Sequence, residues 1–362
     1  MEHMAQLACN GGGVSRSVFC PGRLVHSRTS FLTNRLMETS GGFFVCKLLM
    51  QKASEQRTVV PVIETMPADL LTPLAVYLKL AGLSETSFLF ESVEGGESLA
   101  RYSFIGAEPV FTAAGNGERA EIDDGENNRT IRQSVFDFVR DHFSRNVISG
   151  HGDLPGFSGG AIALINFEAV GWMEPKLGPI STHSDHDATF IFFRTVIAFD
   201  HAKQQIKIVT LVFPEDPLGG GDVDSAAAKN REIRQVLETA SIPSEENGGS
   251  QSEQPVSSNF SKQDFEAAVR EAKELIHAGD VYQVVLSQRF TVPTNSSPIS
   301  IYRAMRSLNP SPYMFLIRMK GTAVIGSSPE MLVRCRENRT LEYRPIAGTR
   351  RRGRTAYEDA EL

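Results

Sequence analysis

A chain of 362 residues with 41% hydrophobic content has enough material for two domains or one large one. Its net charge of −6 supplies no global basic field, so nucleic acid is not an expected partner, and no run approaches the roughly 18 apolar residues of a membrane span. The four cysteines, Cys9, Cys20, Cys46 and Cys335, show neither CxxC spacing nor the density of a disulfide scaffold, and read as reduced thiols in a cytosol-like compartment.

Residues 1–40 carry Arg16, Arg23, Arg28 and Arg35 among many Ser and Thr, with only Glu2 and Glu38 as acids. That composition fits a plastid-type transit peptide, and equally a disordered leader or a start codon assigned too far upstream, with Met37 and Met50 as alternative starts. Residues 42–57 are helix-like, and Thr58–Glu64 (TVVPVIE) reads as the first strand. A helix over Pro73–Ala81 precedes two alternating runs, residues 87–92 and 101–106, joined by the Gly-rich VEGGE turn as a meander. Residues 159–172, 189–199 and 205–213 are further apolar or alternating runs, and together they predict a large, mostly antiparallel sheet. A helix over residues 225–240 closes the first half.

Residues 241–258 (SIPSEENGGSQSEQPVSS) hold almost no apolar side chain and are expected to form a linker. A helix follows, with Phe265, Val269, Ala272 and Ile276 at helical spacing, Ser261 and Asp264 as a capping pair and Gly279 as the C′ residue. It leads into a strand predicted over Val281–Phe290, with Gln283 on the face of Val281 and Val285. Helices and strands mix without βαβ regularity, so the fold class is α+β: a mostly antiparallel β-sheet sandwich with flanking helices.

Three segments are too rich in Gly, Pro, Arg and Gln for plain core: GDVYQVVLSQRF (279–290), NPSPYMF (309–315) and YRPIAGTRRRG (343–353). In the last, Gly348 allows backbone N–H groups to approach a carboxylate and the Thr349 hydroxyl adds a donor, while Arg350, Arg351, Arg352 and Arg354 add local charge. The same residues also suit a solvated turn. Gln283 by itself suits an amide bonded to a neighbouring strand, and SFLFES (87–92) with PYM (312–314) suits a strand edge and a Pro-initiated turn. SSPEMLV (327–333) reads as a turn fixed by Pro329, with Glu330 bonding nearby backbone. His183 and His186 in HSDHD, and GGGDVD at 219–224, lack a complete ligand set and read as polar loops.

Taken together these segments resemble anthranilate synthase component I, a chorismate-using enzyme family. The resemblance covers residues 58–240 as its N-terminal region, within a first domain of 41–240, and residues 259–362 as the start of its chorismate-binding domain. It implies that Gly348 and Thr349 contact chorismate. It implies further that Gln283 stands where water-using relatives carry an activating lysine, so ammonia, with its own lone pair, is the expected nucleophile. Ala347 replaces the lysine of the aminodeoxychorismate synthase branch, which argues for anthranilate and pyruvate as products. Ser92, Pro312, Tyr313 and Met314 fall on the family's two tryptophan-binding elements, with Phe90 in place of the usual leucine. The implied partners are chorismate, L-tryptophan as inhibitor and a glutamine amidotransferase subunit, in the cytoplasm unless residues 1–40 direct the protein to a plastid. The implied cofactor is Mg2+, whose glutamate ligands, with the general acid/base histidine, are expected beyond Leu362. On that footing the 362-residue chain is expected to be an inactive fragment of low solubility. A folate-branch enzyme and a non-catalytic tryptophan-binding remnant are the alternatives.

Overall fold

A computed structural model describes residues 56–92, 101–149, 153–177, 186–214, 221–242, 255–336, 339–346, 348 and 351–361. The leader, residues 42–55, Cys9, Cys20, Cys46, His183, Ala347, Thr349 and Arg350 lie outside them.

In chain order the first half runs β1 (Arg57–Pro67), α1 (Pro73–Leu80), β2 (Ser87–Glu91), β3 (Tyr102–Ala107), β4 (Phe111–Gly115), β5 (Ala120–Asp123), β6 (Asn128–Ile131), α2 (Val135–Arg145) and β7 (Asn146–Ile148). It continues with β8 (Gly160–Ile165), a helical turn α3 (Val170–Met173), β9 (Ala188–Phe193), β10 (Thr195–Asp200), β11 (Gln205–Val212) and α4 (Val223–Thr239). The second half comprises β12 (Ser257–Ser258), α5 (Lys262–Ala278), β13 (Phe290–Thr291), α6 (Pro298–Leu308), β14 (Tyr313–Met319), β15 (Thr322–Ser328), β16 (Arg334–Cys335), β17 (Leu341–Glu342) and α7 (Ala356–Glu361).

An eight-stranded sheet, ordered β15-β14-β2-β3-β10-β11-β1-β7, faces a five-stranded sheet, ordered β6-β5-β4-β9-β8. Every pairing in the two is antiparallel except β1 with β7, so the expected antiparallel sandwich stands. Phe88, Val196 and Ile317 of the large sheet meet Ile162, Ile191 and Phe193 of the small one. On its other face the large sheet carries α1, α4 and α6, with Val76, Tyr77, Leu80, Ile233, Leu237 and Tyr302 packed on Leu89, Ile105, Ile208 and Leu316. Val135 on α2 belongs to the cluster that backs the small sheet.

The single run expected over 189–199 is two strands in different sheets. Phe193 ends β9 and Thr195 starts β10, so the chain passes between sheets at Arg194; a continuous apolar run shows burial and not which sheet is joined. The run over 159–172 is likewise strand only to Ile165, after which a 3-10 turn and α3 turn the chain. The indole Nε1 of Trp172 in α3 donates to Asp187 Oδ2 at 2.5 Å. A Cβ at Gly117 would stand 1.9 Å from the same indole ring.

The boundary at 241–258 does not separate two sheets. β14 and β15, from beyond it, join the same sheet as β1–β3, and Ser257 and Ser258 pair with Phe290 and Thr291. Helix α5 has the expected ends: Ser261 Oγ accepts from Asp264 N at 3.1 Å, and Gly279 adopts φ 82°. Its apolar stripe is buried only at Ala272, with Val269 36% and Ile276 42% exposed. The strand predicted over Val281–Phe290 is not formed except at Phe290, which begins β13. A strand exists through the ladder bonds of a neighbour, and no described strand runs beside residues 281–289.

Candidate functional site

The cavity of largest volume among those described opens where β2 ends and β14 begins. The strands are antiparallel with Glu91 opposite Met314 and Phe90 opposite Phe315. Ser92, just past the end of one strand, therefore lies at the same margin as Pro312 and Tyr313 at the start of the other. Strand alternation sends Phe90 and Phe315 toward the small sheet, where Ile162 and Leu164 of β8 and Phe104 of β3 complete the wall. Tyr102 and Arg334 also line this space, which has a volume of about 610 Å³. Small-molecule sites span roughly 300–1,000 Å³, mostly apolar with a few convergent polar groups, and this cavity has that character.

All four residues expected to hold an amino acid inhibitor, Ser92, Pro312, Tyr313 and Met314, line it. Sequence reading missed Tyr102, Phe104, Ile162, Leu164 and Arg334, which come from three other strands. Only the alternation in RYSFIG pointed Phe104 to a packed face.

Glu91 is buried and is held from the helix side. Tyr302 of α6, itself fully buried, donates its hydroxyl to Glu91 Oε2 at 2.5 Å, and Arg306 Nε lies 3.2 Å from the same oxygen. Burial first, and the adjoining carboxylate second, push the Tyr302 phenol above its ordinary range, so it stays a donor. A buried carboxylate with a cation and a hydroxyl on one oxygen is compensated, and α6 is thereby tied to the cavity wall. Nearby, Ser103 Oγ and His201 Nε2 are 2.9 Å apart, and burial holds the imidazole below its usual pKa.

The residues expected at chorismate are not gathered in this way. Gln283 is half-buried in the segment that lacks a partner strand, Gly348 is exposed, and none of the described cavities is lined by either. The loop before Gly348 does have one anchor: Glu330 Oε1 accepts the backbone N–H of Ile346 at 2.9 Å, joining the SSPE turn to PIAGT. Arg352 bonds Asp359 at 2.6 Å while 90% exposed, a surface ion pair.

Among the described residues no group of three or more His, Cys, Asp or Glu could hold a metal ion. His186 Nε2 faces Glu121 Oε2 at 3.2 Å. Asp222, in the GGGDVD run, is the N-cap of α4, accepting from Ser225 N at 2.8 Å, and that bond holds its carboxyl below the usual range. Among the described residues no helix is long and apolar enough to cross a membrane.

A family model for chorismate binding enzymes matches residues 86–362, and the chain belongs to that family. Anthranilate synthase component 1 of Acetivibrio thermocellus is 35% identical over 311 residues, covering 84% of this chain and 62% of that protein. The protein of the same name from Aquifex aeolicus is 36% identical over 328 residues, covering 86% of this chain and 64% of that one. The crystal structure of anthranilate synthase component I from Streptococcus pneumoniae aligns with a TM-score of 0.54 at 26% identity, covering 76% of this chain and 59% of that chain. The chain thus spans about three-fifths of the length of the relatives it matches.

Proposed function

We propose that the protein carrying this sequence is the large subunit of an anthranilate synthase, converting chorismate and ammonia to anthranilate and pyruvate, with tryptophan as a feedback inhibitor bound in the 610 Å³ cavity. One observation carries the reading: Ser92 and the Pro312–Met314 triplet, about 220 residues apart in the chain, share one apolar cavity with a polar rim. Tyr313 offers a polarizable wall to an indole, and Ser92 a hydroxyl to a polar end.

For the reaction, the support lies in residue chemistry. Gln283 does not ionise and so does not activate water, which leaves ammonia as nucleophile, supplied by a glutamine amidotransferase partner. Ala347 has no group to attack a ring carbon, in contrast to a lysine. The family's magnesium would neutralise the substrate carboxylate, but the described residues hold no acid set that fits it.

Two measurements test the reading. Calorimetry with L-tryptophan on the 362-residue chain is expected to show saturable 1:1 heat, and its absence removes the inhibitor assignment. With chorismate and ammonium supplied, the product of the enzyme carrying this sequence is expected to show anthranilate fluorescence; a product keeping a 4-amino group would move the protein to the folate branch.

A further inference from the structure

Arg334 lies on the cavity wall and is only loosely engaged by its strand pairing. It stands opposite Glu342 in the two-stranded ribbon of β16 and β17, the position at which a cross-strand ion pair is expected. The pair is not made closely. Arg336 takes Glu342 Oε1 through Nη2 at 2.6 Å and Nε at 2.7 Å, whereas Arg334 Nη1 stays 3.9 Å from Oε2, outside hydrogen-bond reach. Glu342 Oε2 is buried with no hydrogen-bond partner, and its contact with Arg334 is a long ion pair rather than a hydrogen bond.

The guanidinium belongs instead to the wall lined by Phe90, Phe104, Leu164 and Phe315, and among the described lining residues it is the one cation. The one acid there, Glu91, is already bonded from behind by Tyr302 and Arg306, and its charge would repel a carboxylate. The remaining polar lining groups, Ser92, Tyr102 and Tyr313, are neutral. A guanidinium beside an apolar wall competes little with water and presents the planar fork that matches a carboxylate.

We propose that Arg334 is the carboxylate anchor of this cavity, so that the cavity selects α-amino acids over the corresponding amines. The proposal rests on the reading of the cavity as an amino acid site. A guanidinium on this wall meets the charge of a carboxylate, and the aromatic residues around it fit a flat apolar side chain.

The test is calorimetry on the 362-residue chain and on Arg334→Met and Arg334→Lys, titrated with L-tryptophan and with tryptamine, which lacks the carboxylate. The unsubstituted chain is expected to prefer tryptophan by roughly tenfold or more, the range of a charge-assisted hydrogen bond. Arg334→Met is expected to lose that preference with tryptamine affinity unchanged, and Arg334→Lys to keep part of it. Equal tryptophan affinity in the unsubstituted chain and Arg334→Met overturns the anchor. So does a parallel loss of both ligands, which would assign Arg334 to holding the fold. If tryptophan fails to bind the unsubstituted chain, the amino acid site itself is wrong, an outcome distinct from either of these.

Discussion

Two regions of this molecule hold the residues singled out for binding, and they differ in how the chain positions them. At the margin of β2 and β14, the antiparallel ladder from Glu91–Met314 to Ser87–Arg318 fixes where Ser92 and Tyr313 can be, and Tyr302 and Arg306 fix Glu91 from behind. Among the described residues of 281–289 and 343–353 no strand ladder forms. Tyr282 is 74%, Val285 45% and Tyr343 51% exposed, and the Glu330–Ile346 bond is the anchor that reaches the glycine loop. Side chains of similar chemistry are held by a strand ladder in the first region and, among the described residues, by single hydrogen bonds in the second. The lesson is that a binding residue is placed by the strand beside it, and residue type alone does not place it.

The largest expected effect breaks this contrast directly. Leu316→Ala, at a position fully buried in β14, is expected to cost about 2–5 kcal/mol in urea unfolding, whereas Val285→Ala in the exposed segment should stay within about 0.5 kcal/mol. Equal costs would mean that residues 281–289 are packed in solution. Next in size, Tyr302→Phe removes a hydrogen bond to a buried carboxylate and is expected to cost about 1.5–3 kcal/mol by the same measurement. It should also weaken tryptophan binding in calorimetry if α6 holds the cavity wall in place.

The smallest effect concerns an exposed carboxylate paired with a buried lysine of the large sheet. Lys207 first, and Lys203 second, hold the Asp153 carboxyl down from 3.8 to about 2. A depressed carboxyl contributes stability that is present above its unfolded pKa and lost as pH falls through the folded one. Asp153→Asn is therefore expected to flatten the fall of the urea midpoint between about pH 4 and pH 2, and to leave the midpoint near neutral pH only slightly lower. An unchanged acid limb would show that the Asp153–Lys207 pair does not persist in solution.

Much of the architecture was legible in the residues. Ser261 with Asp264 and the positive φ of Gly279 bounded α5 as their local chemistry required, and TVVPVIE, SFLFE and QIKIVTLV announced strands through β-branched and aromatic alternation. FTAAG and AEID went unread as β4 and β5, because each is short with only one large apolar side chain, Phe111 or Ile122, and their strand character comes from their ladders, β4 with β5 and β9 and β5 with β4 and β6. Of the candidate cavity, Ser92, Pro312, Tyr313 and Met314 were legible through their resemblance to family motifs. Arg334 and Ile162 were not, since nothing in their local sequence states which wall they will share.

The order of residues by itself determined the α+β class, the caps of α5, the strands β1–β3, β8 and β11, and the family, because those follow from periodicity and from short motifs acting over a few positions. Only the tertiary structure decided that the chain changes sheets at Arg194, that β14 lies against β2, and that residues 281–289 are left without a ladder. Each of these depends on which distant strand supplies the hydrogen-bonding neighbour, and a strand's own residues specify that it needs a partner without specifying which one it will have.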